Sequence, residues 1–140
     1  ELSDMIVHTF PENQFVPPVG QGCVAIEAAA GLSAEKRSAV RSCLNNVDSE
    51  TILLAERGFL RKLEGGCSIP AYALATLAGD QISMNAGLVS LDGRKNITAS
   101  QSGARTEAER IGTELGTRIL EDGGRELLAE IRSQQAADNA

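Results

Sequence analysis

Cys67 ends the run Leu63-Glu64-Gly65-Gly66-Cys67 and precedes Ser68-Ile69-Pro70. Two glycines beside the sulfur remove side-chain bulk, so a ligand can approach the backbone closely. A positive neighbour favours the thiolate, the form that acts as nucleophile or covalent anchor. Arg57, Arg61 and Lys62 stand just upstream and could supply that field. A small buried hydrophobe after a helix cap is the other reading of Cys67, since free cysteines are often buried. A solvated helix face is the other reading of the basic cluster.

Gly20-Gln21-Gly22 follows Pro17-Pro18. Such a turn exposes backbone N–H groups and could hold an anion or serve as a hinge; it could also be a plain turn before a strand. It lacks the third glycine and following helix of a dinucleotide fingerprint. His8 is the single histidine and lies in a poorly patterned stretch, which argues against a Ser-His or Cys-His pair. No carboxylate pair is marked as acid and base, so no catalytic residue is assigned within this chain. The cysteines, Cys23, Cys43 and Cys67, form no C-x-x-C pair and no zinc site; their spacing fits a reducing cytosol.

The elements that must position these residues follow from periodicity. Pro11, Pro17 and Pro18 keep residues 1–18 from regular pairing. Val24-Ala25-Ile26 reads as a short buried strand, and residues 33–44 as a helix capped by Ser33. A stronger helix runs from Asp48 or Ser49 to about Glu64, with Ile52, Ala55, Phe59 and Leu63 on one stripe, and Gly65-Gly66 ends it. Strands are expected over 72–78, 81–90 and 95–100, joined at Gly79-Asp80 and Asp92-Gly93. Thr106-Glu107-Ala108-Glu109 reads as a capping box before a helix through Ile111, Leu115 and Ile119. Gly123-Gly124 breaks it, and a last helix carries Leu127, Leu128 and Ile131.

The expected fold class is therefore α/β in the α+β sense: a small antiparallel three-stranded sheet covered on one face by helices. Residues 46–140 form that domain. Residues 1–45, one strand and one helix, read as a remnant of preceding domains. With 140 residues, 42% hydrophobic and 3% aromatic, the core must be aliphatic. A net charge of −6 argues against nucleic acid and anionic membrane as partners. No apolar run approaches the ~20 residues of a membrane helix. A start at Glu1 suggests a trimmed or partial chain.

Pro18-Val19-Gly20-Gln21-Gly22, then Ile26-Glu27, resembles the segment that porphobilinogen deaminases (hydroxymethylbilane synthases) carry where the chain returns from the second domain to the first. Ala55-Glu56-Arg57, Phe59-Leu60-Arg61 and Leu63-Glu64-Gly65-Gly66-Cys67 with Pro70 resembles that family's cofactor-attachment signature. The similarity runs over roughly residues 15–132, to Gly124-Arg125-Glu126-Leu127-Leu128. Cys23 departs from a usual Ala, and Ala28-Ala29 replaces a stretch often ending in Arg.

This resemblance implies a cytoplasmic transferase of tetrapyrrole (haem-type) biosynthesis. It would join porphobilinogen units into hydroxymethylbilane on a dipyrromethane cofactor bound through a thioether to Cys67. Arg57, Gln21, Gly20 and Gly22 would contact the cofactor or the growing polypyrrole chain, and no metal is implied. The catalytic aspartate and most carboxylate-binding arginines would lie in a missing N-terminal part, so this piece alone should be inactive. The competing expectations are a non-catalytic pyrrole- or partner-binding domain and a redox-sensing thiol protein.

Overall fold

A computed structural model of the chain describes residues 2–12, 14–64 and 68–138. The first long elements are helices α1 (Ala34–Leu44) and α2 (Val47–Lys62). Asn46 starts α2 by accepting the Ser49 N–H at 2.9 Å. Asp48 and Glu50 in the first turn, with Arg61 and Lys62 in the last, complement the helix dipole. The helix ends at Lys62, two residues before the expected Glu64, and Glu64 itself takes a left-handed φ of 51°.

Strands β1 (Ala71–Ala78), β2 (Gln81–Val89) and β3 (Asn96–Ala104) form an antiparallel sheet in that order. Gly79, with φ +59°, turns β1 into β2. The β2–β3 connection spans residues 90–95, where Asp92 accepts from the Ser90 hydroxyl and the Arg94 N–H. β3 runs four residues beyond the expected Ser100, because its pairing with β2 continues to Ala104↔Gln81. Ile82, Met84, Ala86 and Leu88 point to the buried face, while Gln81, Ser83 and Asn85 are exposed. The expected one-sided cover by helices is what the structure has.

Arg105–Glu107 is one 3-10 turn, and α3 (Ala108–Ile119) follows it. The expected Thr106 capping box does not form: Glu107 is the N-cap residue and no side chain caps the helix. Its acids are engaged elsewhere, Glu107 with Arg110 at 2.6 Å and Glu109 with Arg61. The chain kinks over Leu120–Gly124, where Gly123 takes φ +102°, and continues as α4 (Arg125–Asp138). Leu127, Leu128 and Ile131 of α4 complete the core.

Val24-Ala25-Ile26 is not a strand. A strand needs a neighbour for its backbone hydrogen bonds, and among the described residues the sheet offers this segment none. Val24 is 89% and Ile26 56% exposed. Helix α1 forms where expected, but it buries no residue, so Val40 and Leu44 remain exposed.

At the glycines described, the closest backbone approach is between α2 and α3. A Cβ on Gly112 would lie 1.8 Å from the Ala55 carbonyl oxygen, and one on Gly116 2.7 Å from Lys62 Cβ. Gly58 on α2 meets the Glu109 carbonyl in the same way, at 2.8 Å. Backbone atoms cannot rotate aside as a side-chain tip can. Gly112→Ala should therefore destabilise the chain by about 3 kcal/mol, read by chemical denaturation. Gly31→Ala, with nothing within 4 Å of its added methyl, should stay within about 0.5 kcal/mol. Equal stability of the two variants would contradict this packing.

Candidate functional site

Gly65, Gly66 and Cys67 lie outside the described residues. The chain on either side of them is held firmly. Leu63 is 1% exposed and its N–H bonds the Phe59 carbonyl at 3.2 Å. After the cysteine, the Ser68 carbonyl accepts from Gln135 Nε2 of α4 at 2.6 Å. Ile69 packs against the core, and the Pro70 carbonyl accepts the Val89 N–H at 3.0 Å. The segment from 63 to 70 thus joins α2 to the sheet with both ends fixed by the core and α4.

Gly20 and Gly22 take φ values of +71° and +86° in successive turns, closed by the Gln21 N–H on the Pro18 carbonyl and the Cys23 N–H on the Gly20 carbonyl. Only glycine adopts this conformation freely. Pro18 forms an isolated antiparallel bridge with Tyr72 of β1, and Val19 packs on the core. The turn is pinned by Glu56. Its Oε2 accepts the Gly20 N–H at 2.9 Å, and its Oε1 accepts the Ala75 N–H at 3.0 Å. Glu56 is 5% exposed. Burial pushes its carboxyl above the usual carboxylate range, against the opposing pull of the two N–H bonds.

Arg57, the next residue, is exposed and borders an open cavity of about 690 Å³ between residues 22–28, α1 and α2. Gly22, Cys23, Leu53 and Leu54 share its lining. Arg41 also lines it but is engaged by Glu50 at 2.6 Å, and that bond holds the Glu50 carboxyl below its usual range. Arg61 is paired with Glu109. Among the described residues Arg57 is the guanidinium of α2 that no carboxylate engages. The structure therefore brings Arg57 and Gly22 to one cavity and ties Gly20 to the residue before Arg57. Gln21 is exposed on the same turn. His8 stacks edge-on against Phe10 at 4.9 Å, in the exposed N-terminal segment.

Residues 51–121 match the family model described as porphobilinogen deaminase, C-terminal domain. That match takes in α2 from Thr51 onward, the Leu63–Cys67 run, the sheet and α3. The chain belongs to the porphobilinogen deaminase family. It is 58% identical over 134 residues to the porphobilinogen deaminase of Desulfosudis oleivorans, covering 96% of this chain and 43% of that protein. Against the Cytophaga hutchinsonii porphobilinogen deaminase it is 47% identical, covering 85% of this chain and 38% of the relative. Against that of Syntrophomonas wolfei it is 37% identical, covering 94% and 42%. The chain thus spans about two fifths of the length of these relatives. Among the described residues, no helix is long and apolar enough to cross a membrane.

Glu56 and Gln135 are the residues around this site that sequence patterning does not single out. A signal for Glu56 was available: it sits inside the apolar stripe, four residues after Ile52 and three before Phe59, where a charge must be either paired or hydrogen-bonded. Gln135 carries no such signal, since its bond to Ser68 depends on the fold of α4.

Glu56 should titrate above the exposed glutamates in carboxyl-detected NMR. The folded chain then holds this proton more tightly than the unfolded chain does. Its contribution to stability is full below the unfolded-state value and is lost as pH rises through the raised folded-state value. A midpoint at or below that of the exposed glutamates would contradict the burial argument.

Proposed function

We propose that this chain is the C-terminal part of an enzyme that polymerises four porphobilinogen units into hydroxymethylbilane with release of ammonia, and that Cys67 anchors its dipyrromethane cofactor. The observation that carries the reading is the family match across Leu63-Glu64-Gly65-Gly66-Cys67, joined to a described framework that fixes the chain on both sides of that run. An anchor thiol needs a rigid base more than it needs a general base. When bound through a thioether to the Cys67 sulfur, the cofactor supplies the pyrrole end from which the product chain grows.

The described residues fit this group at one point. Arg57 offers an unengaged guanidinium at a cavity wall, suited to a pyrrole carboxylate in a bidentate fork. Gly20, Gln21 and Gly22 offer a small-residue turn beside the same helix, where a ligand or a neighbouring segment can come close. A product chain bearing many carboxylates needs more positive charge than a segment of net charge −6 provides. The remaining carboxylate-binding groups and the catalytic acid are assigned to an N-terminal part, consistent with relatives more than twice as long. In this division residues 46–140 form the cofactor-attachment domain and residues 1–45 belong with the preceding domains. The exposed Val24, Ile26, Val40 and Leu44 then meet those domains. A cytoplasmic location follows from the pathway assigned here.

In the complete protein, Cys67→Ser should abolish hydroxymethylbilane formation, whereas Cys23→Ala and Cys43→Ala should retain it. Arg57→Lys should keep the charge but lose the bidentate geometry, lowering the elongation rate about tenfold. The 140-residue chain alone, given porphobilinogen, should form no product until an N-terminal portion is supplied. Full activity in Cys67→Ser, or steady turnover by this chain alone, would overturn the assignment.

A further inference from the structure

Glu56 is the one nearly buried charged side chain among the described residues, and the chemistry assigned above does not use it. Its two oxygens serve different parts of the chain: Gly20 in the junction turn at 2.9 Å and Ala75 on the outer edge of β1 at 3.0 Å. Both partners are donors. Only a side chain with two acceptor oxygens and no donor satisfies them together. Glutamine has the same length but presents one oxygen and an NH₂ group, so one backbone N–H would face another donor. Aspartate is one methylene shorter, too short to bridge the same two amides from its place on α2.

We propose that Glu56 is a positioning residue, whose carboxylate fixes the turn bearing Gln21 against the helix bearing Arg57. The neighbouring geometry supports this role. Gly20 lies against Leu53 of α2, where an added Cβ would come within 3.3 Å of Cδ2, and Pro18 bridges to Tyr72 of β1. The turn is therefore seated on α2 and β1 together, with Glu56 as the hydrogen-bonded link to both. Placing the clamp one residue before Arg57 couples the turn's position to that guanidinium. Bending between residues 1–45 and the sheet domain then falls outside the turn, in the irregular segment 23–32. The functional weight of this placement rests on Gln21 and Arg57 being ligand contacts, as proposed above; the clamp itself does not.

The test is residue-resolved amide exchange and NOE measurement on this chain without any pyrrole, so its outcome is separate from that of the thioether assignment. In the original chain the Gly20 amide should exchange at least about tenfold more slowly than the exposed amides of residues 23–28. In Glu56→Gln, the Gly20 or the Ala75 amide should exchange about tenfold faster, while Met84 and Ala86 in the central strand keep their rates. The NOE between Gly20 Hα and the Leu53 methyl groups should weaken. Unchanged protection at both Gly20 and Ala75 in Glu56→Gln would overturn the proposal. So would a uniform loss across β2, which marks a general loss of stability. Should the variant not fold, an unprotected Gly20 amide in the original chain would overturn it alone.

Discussion

The crossing of α2 over α3 is closed to backbone contact at Gly112 and Ala55, and the rest of the domain is arranged around that closeness. Side chains of ordinary size at Gly58, Gly112 and Gly116 would hold the helices apart. The helices would then no longer lie together on the small inward residues Ala73, Ala75, Ala86 and Ala99 of the sheet. Consecutive residues on a helix point roughly 100° apart. With Ala55 directed at α3, Glu56 is turned toward β1 and the junction turn, and Arg57 toward solvent and the cavity. Three adjacent residues thereby face the helix crossing, the turn at Gly20 and the cavity, in that order.

The same arrangement holds the chain on both sides of the run that ends at Cys67. Upstream it leaves a helix whose last apolar residue, Leu63, is locked in the core. Downstream it enters β1 through Ile69 and Pro70, with α4 reaching back through Gln135 to the Ser68 carbonyl. A covalent anchor for a flexible, growing product benefits from such a base, because any freedom in the anchor adds to the freedom of the chain end that must react. The kink at Gly123 is what turns α4 back toward Ser68.

Much of the fold was legible in the sequence because local pattern and tertiary packing agree there. The alternation of Ile82, Met84, Ala86 and Leu88 gave the sheet its buried face. The stripe of Ile52, Ala55, Phe59 and Leu63 gave α2, and Gly123 gave the break before α4. Where pattern failed, the deciding partner lay far along the chain. Val24-Ala25-Ile26 has strand-like composition but no neighbouring strand to pair with. Thr106 has capping-box spacing, yet Arg61, distant in the chain, draws the box acid Glu109 into an ion pair. Of the site, the turn glycines and Arg57 were visible as residue types. The clamp through Glu56 was signalled only as a charge inside the apolar stripe of α2; its partners were not legible, because Gly20 and Ala75 lie far from it along the chain.

The central claim is that Cys67 is the attachment point for a pyrrole cofactor. Trypsin cleavage after Lys62 and Arg94 releases residues 63–94, a peptide in which Cys67 is the sole cysteine. Peptide mass analysis of the complete, active protein should find this peptide carrying the added mass of a dipyrromethane, with the peptides containing Cys23 and Cys43 unmodified. An unmodified 63–94 peptide from protein that turns over porphobilinogen would contradict the account.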